Sequence, residues 1–256
     1  MADPREGVTP DGLIVTGARR DRVRSRYDPV LAYVLERVTP EVSVHAYGSV
    51  ANGTAAAPAS DVDLLTIGLP PADAATLGAE ASARFAELCR GVEIAAMASD
   101  DYVGEGAEAY GNRVFLRHYC VHLAGPDRGA DLPEFPADAR AARGFNGDIA
   151  RALARWRAAL GRDDAGDLSR RVARKSLLAV AGLVSVHDSI WTTDRALAAA
   201  RWGEIEPTLA PDLARLVALC DRGGASEDET AALLAAGGVV ESIIARFSAD
   251  IGLWAT

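Results

Sequence analysis

Lysine is almost absent from this chain of 256 residues: of 27 basic residues, Lys175 alone is not arginine. Cysteine is scarce as well. Cys89, Cys120 and Cys220 lie far apart with no CxxC, which excludes a disulfide framework and reads as reduced thiols in a cytoplasmic protein. The four histidines (His45, His118, His122, His187) show no zinc spacing. No uninterrupted apolar run approaches the ~18 residues that a membrane helix needs. The opening MADPREGVTPDG lacks the apolar core of a signal peptide. Cations are in deficit, 27 Lys+Arg against 36 Asp+Glu for a net charge of −9. That balance argues against a broad nucleic-acid surface. It leaves room for one small nucleotide, because a metal or a local cluster can hold phosphates on an acidic protein.

What is present fits a globular chain of one or two domains, 49% hydrophobic and 25% charged. Alanine occurs 51 times, which favours helices. Residues 1–20, rich in Pro and Gly, read as a loosely held lead-in. A helix is expected up to about Val38, with Asp28-Pro29 starting its main part. Strands are expected at Val42–Tyr47, Asp61–Ile67, Val92–Ala98 and Val114–Leu123. The last of these would put His118 and His122 on one face. A helix over about Ala72–Arg90 separates the second and third strands. Asp127 to about Arg143 reads as a linker, and everything beyond has helical periodicity, broken at Gly237-Gly238. The pattern predicts an α/β (α+β) domain over 21–130, with a mixed sheet and flanking helices, and an all-α bundle over 131–256.

The chemistry concentrates in Tyr47-Gly48-Ser49, then eleven residues, then Asp61-Val62-Asp63. Asp61 and Asp63 alternate onto the same face of a strand. Two carboxylates that close repel unless a cation sits between them, and oxygen ligands suit Mg²⁺. The Gly48-Ser49 turn offers backbone N–H groups and a hydroxyl to phosphate oxygens. Glu93 supplies a third acid from a short apolar strand, where a carboxylate needs a cation or a donor. If the two strands are neighbours, Glu93 joins Asp61 and Asp63.

These motifs resemble the polymerase-beta-like nucleotidyltransferase superfamily: a Gly-Ser turn, a spacer near ten residues, then Asp-x-Asp and apolar residues. Within it the chain is similar to the streptomycin/spectinomycin aminoglycoside adenylyltransferases, in Val92-Glu93-Ile94 leading to Asp100-Asp101, in Leu123-Ala124-Gly125-Pro126-Asp127, and in Ile190-Trp191-Thr192-Thr193-Asp194. The resemblance implies Asp61 and Asp63 as Mg²⁺ ligands, Gly48 and Ser49 as triphosphate contacts, and Glu93 as base on the acceptor hydroxyl, as metal ligand, or both. It implies a cleft between two domains, ATP as donor of AMP, pyrophosphate as leaving group and a small polar acceptor such as an aminoglycoside. Cations from the helical half would complete the nucleotide site. Arg171, Arg174 and Lys175 share a helix face, and Arg195 follows Thr193-Asp194 where the family tends to carry lysine before the aspartate. Trp191 is a candidate pocket wall, and Asp100, Asp101, Glu105 and Glu108 form an acidic loop suited to a cationic acceptor. Two other readings stay open: a nucleotidyltransferase acting on protein or tRNA, and a non-catalytic nucleotide-binding module.

Overall fold

The computed structural model describes residues 3–221 and 224–255. They form two compact units. The first holds the residues up to Thr9, Leu13–Glu105 and Ala109–Phe135; the second holds Pro136 onward, together with Pro10–Gly12 and Gly106–Glu108. Met1, Ala2 and Thr256, at the outer limits of the expected lead-in and bundle, lie outside the described residues.

The first unit is built on a mixed sheet. Its elements run β1 (Gly7–Val8), β2 (Ile14–Val15), α1 (Asp28–Leu35), β3 (Ser43–Tyr47), α2 (Gly48–Asn52), β4 (Val62–Ile67), α3 (Pro71–Arg84), β5 (Val92–Met97), α4 (Asp100–Val103), α5 (Ala107–His118) and β6 (Val121–Ala124). The main sheet has the order β5-β4-β3-β6. Strand β3 is antiparallel to both its neighbours, while β4 and β5 run parallel. Parallel neighbours need a crossover, and α3 supplies it. That helix starts on Pro71, whose missing N–H is no loss in a first turn. It buries Ala74, Leu77, Gly78 and Ala81 on one stripe. With Tyr27, Val30, Leu31 and Val34 of the α1 region, these residues cover Ala46, Val62, Leu64 and Val92 on one face of the sheet.

Two expectations fail here. Residues 3–20 are not loose. Strands β1 and β2 form an antiparallel pair, the Ile14 N–H donates to the Phe135 carbonyl at 2.9 Å and the Arg19 N–H to that of Ala51 at 3.1 Å, and the Tyr119 hydroxyl bonds Glu6. The strand expected over Val114–Leu123 is instead the end of α5 followed by the short β6. The β-branched and aromatic run suggests a strand by composition, but its contacts repeat at helical spacing. Tyr110 and Val114, four apart, are buried together, and Phe115 stacks on Tyr119 with centroids 5.9 Å apart. His118 and His122 therefore share no strand face. The His118 Nε2 accepts the Phe135 N–H at 2.9 Å, and the His122 ring meets His45 edge-on at 5.4 Å.

The second unit is helical: α6 (Ala139–Asn146), α7 (Ile149–Ala159), α8 (Ala165–His187), α9 (Arg195–Ile205), α10 (Ala210–Asp221), α11 (Glu227–Leu234) and α12 (Val239–Asp250). The long α8 is its axis and packs against each of the others. Helix α6 begins inside the stretch expected as a linker, because Asp138 caps it by accepting the Ala141 N–H at 2.8 Å. Within Glu227–Asp250 an 18-residue window has a mean hydropathy of 1.5, apolar enough by composition to span a membrane. In the fold the segment is two helices, interrupted at Gly237-Gly238 as the sequence predicts.

Candidate functional site

The register of the sheet sets three residues in one row. Tyr47 on β3 pairs with Asp63 on β4, and Asp63 pairs with Glu93 on β5. In-register neighbours project from the same face, so Asp63 and Glu93 stand side by side, with Asp61 two residues upstream. Further along the same face the residues turn apolar. Leu65, Ile67 and Met97 pack under Leu116, with Tyr47, Tyr102 and Phe115 at the margin. The carboxylates thus sit where the covered apolar part of this face ends.

Asp63 carries the clearest electrostatic signature. Its pKa is pushed up to about 6, first by burial, then by the charges of Glu93 and Asp61, with Arg90 opposing. The hydroxyl of Tyr47 is also pushed up, by burial and then by Asp63 and Glu93. A half-buried acid beside two like charges gains from an added cation.

Gly48 is required at its position for two reasons. Its φ is +65°, a conformation that a side chain disfavours, and a Cβ there would collide with the Asp63 carboxylate. The Gly-Ser turn therefore lies directly against Asp63. Gly48 and Ser49 open the short helix α2, so their backbone N–H groups have no acceptor within that helix.

Glu93 departs from its expected surroundings. It is exposed, because β5 is an edge strand, so water rather than a buried partner solvates its carboxylate. Asp61 departs too. It is not an unpaired acid but is gripped by Arg90, with Nε 2.9 Å from Oδ1 and a second prong on Oδ2. Arg90 is a site residue that sequence reasoning misses. It precedes β5 and lies outside the alternation of the strand, so parity does not assign it to a face. The available signal was a basic residue at the entrance to one strand and an acid at the entrance to its parallel neighbour.

The donor set fits a hard divalent cation in kind: carboxylate oxygens only, one of them on an acid whose ionised form is held at a cost. It is not closed into a ligand sphere. Among the described residues no three His, Cys, Asp or Glu side chains gather as a metal-binding group, and Asp61 is committed to Arg90.

The acidic loop is held at its base. Asp101 accepts the Ala98 N–H at 2.8 Å, and Arg113 donates to the carbonyls of Tyr102 and Gly104 at 2.6 and 2.7 Å. Asp100 and Asp101 are exposed.

Within the second unit, the expected cations do not form one common face. Lys175 turns inward, 2.6 Å from Asp148 Oδ1 and 3.1 Å from the Phe145 carbonyl. That is a structural anchor, since a half-buried ammonium needs such partners. Arg171 pairs with Asp163. It lines an open groove with Arg170 and Arg174 opposite Asp163, Asp164 and Asp167. Among the described residues Arg174 and Arg195 make no ion pair. Trp191 is buried against Phe145, with ring centroids 5.9 Å apart, and serves as core rather than as an open wall. Compared with known proteins, the sequence matches no protein-family model and no curated protein.

Proposed function

We propose that the chain is a nucleotidyltransferase that moves AMP from ATP onto a hydroxyl of a small polar acceptor, with release of pyrophosphate. The observation that carries this reading is the in-register pair Asp63–Glu93, with Asp61 two residues upstream and the Gly48 backbone against Asp63. Asp63 and Asp61 are the residues to hold Mg²⁺. When bound, the ion would supply charge neutralisation for the triphosphate and for the leaving pyrophosphate.

The protein's own groups do the rest. The Gly48-Ser49 turn offers N–H groups and a hydroxyl to phosphate oxygens next to the carboxylates. Glu93, the acid of the three most open to solvent, can be reached by an acceptor hydroxyl and accepts its proton as the oxygen attacks the α-phosphorus. The exposed Asp100 and Asp101 follow β5 and favour a cationic acceptor, such as an aminoglycoside. Of the four candidate cations in the second unit, Arg174 and Arg195 make no ion pair among the described residues, whereas Arg171 is paired with Asp163 and Lys175 with Asp148.

The test is incubation of the protein with ATP, Mg²⁺ and a panel of aminoglycosides and other polyols, following pyrophosphate. Acceptor-dependent release that disappears in Asp63→Asn supports the reading. ATP binding without release with any acceptor would identify a nucleotide-binding module instead.

A further inference from the structure

We infer that Arg90 is a built-in counter-cation: it holds Asp61 while no divalent ion is bound, and it is exchanged for that ion when one binds. The inference rests on the reading of Asp61, Asp63 and Glu93 as a metal-holding row. It adds the residue that occupies the row's first carboxylate in the resting protein.

The backbone delivers Arg90 to this place. The parallel ladder continues beyond the ends of β4 and β5: the Arg90 N–H donates to the Ser60 carbonyl at 3.1 Å, and the Val62 N–H to that of Gly91 at 2.9 Å. Arg90 therefore enters β5 alongside the entrance of Asp61 into β4. Its guanidinium then takes both Asp61 oxygens in a two-pronged grip, the geometry for which arginine suits a carboxylate better than lysine does. The influence reaches beyond that pair, because Asp63 and Glu93 both act on Arg90 electrostatically. One cation thus offsets three neighbouring anions.

The same geometry makes the grip reversible. The Arg90 side chain is 64% exposed, so the guanidinium can swing into water, and the charge of Asp61, only 20% exposed, is then met by the incoming ion. A divalent ion brings twice the charge and takes oxygen ligands from several carboxylates at once, so it can displace a single guanidinium. While Arg90 stays on Asp61, it competes with the ion for those oxygens and repels it.

Direct binding of Mn²⁺ to the whole chain without nucleotide, read from loss of the free-ion electron paramagnetic resonance signal, tests this. Arg90→Gln should bind Mn²⁺ roughly fivefold tighter than the unaltered chain, the scale of one partly exposed charge contact. Arg90→Lys keeps the charge without the fork and should fall between the two. Asp63→Asn should lose the binding. A residue that merely supported the fold would give the opposite sign, weaker binding on its removal. Equal or weaker affinity in Arg90→Gln overturns the inference, and so does the absence of Mn²⁺ binding in both proteins. Failure of the transferase reading alone looks different: the affinity gain in Arg90→Gln persists, and no pyrophosphate is released from ATP.

Discussion

The two faces of the central sheet use the same strands for opposite purposes. On one face Val62, Leu64 and Val92 lie beneath the α1 and α3 regions with no charge among them. On the other, the alternate residues of β4 and β5 begin as Asp63 and Glu93 and end as Leu65, Ile67 and Met97. Since side chains alternate at every step, the closed face fixes the open one: a one-residue slip would bury the acids and expose the core. The helix-covered face therefore does more than stabilise the fold. It sets the register that places Asp63 beside Glu93.

The contrast is broken most severely by substitutions at adjacent positions. Asp63→Asn or Glu93→Gln should lower nucleotidyl transfer by about a hundredfold or more. Neither should lower thermal stability at neutral pH, because each removes one of several repelling charges. Leu64→Ala, one residue from Asp63 on the other face, should cost about 2–5 kcal/mol in denaturant unfolding, the usual penalty for truncating a fully buried leucine. A large stability loss in Asp63→Asn together with a small one in Leu64→Ala would reverse the assignment of the faces.

Gly48→Ala is the next test. It forces a side chain into a positive-φ turn and against Asp63, and should destabilise by about 1 kcal/mol or more. Transfer should fall further than stability does, since the carboxylate must move.

Acid titration separates the buried histidines from Asp63 by sign. His45 and His118 are held neutral, each pushed down to about 4 chiefly by burial. The unfolded chain therefore takes up their protons first, and they withdraw stability as pH falls from about 6.5 towards 4. Asp63 is pushed up to about 6, so the folded chain takes up its proton first and gains stability over the range from about 6 to 4. In a chelator, Asp63→Asn should make the acid-side loss steeper, and thermal melts across that range would check it. The smallest effect is expected at Arg171→Ala, whose exposed pair with Asp163 should contribute under about 1 kcal/mol. A larger loss would mean that the groove around Arg171 is structural.

Much of this site was legible because β-strand parity is a strict rule. Alternation put Asp63 opposite Val62 and Leu64 on one strand and Glu93 opposite Val92 on another, and the pairing of β4 with β5 met the condition for joining them. The start of α1 was legible because Asp28-Pro29 announced it. The Val114–Leu123 segment was not legible, since β-branched and aromatic residues also serve a helix that packs on aromatic neighbours. The exposure of Glu93 depended on strand order, which local pattern does not carry. The grip of Arg90 on Asp61 spans 29 residues and follows from the parallel ladder, a long-range pairing that no local motif announces. Lys175 looked like a surface cation from helix spacing, and its inward turn to Asp148 depends on how α7 and α8 pack.

The central claim is that the acidic row supports transfer of a nucleoside monophosphate. ATP labelled on its α-phosphorus, incubated with Mg²⁺ and a panel of hydroxylated cationic acceptors, tests it most directly. The account predicts that the label moves onto an acceptor with one pyrophosphate released per transfer, and that Asp63→Asn abolishes both. Label that stays on nucleotide with every acceptor, or transfer of the γ-phosphoryl group instead, would contradict it.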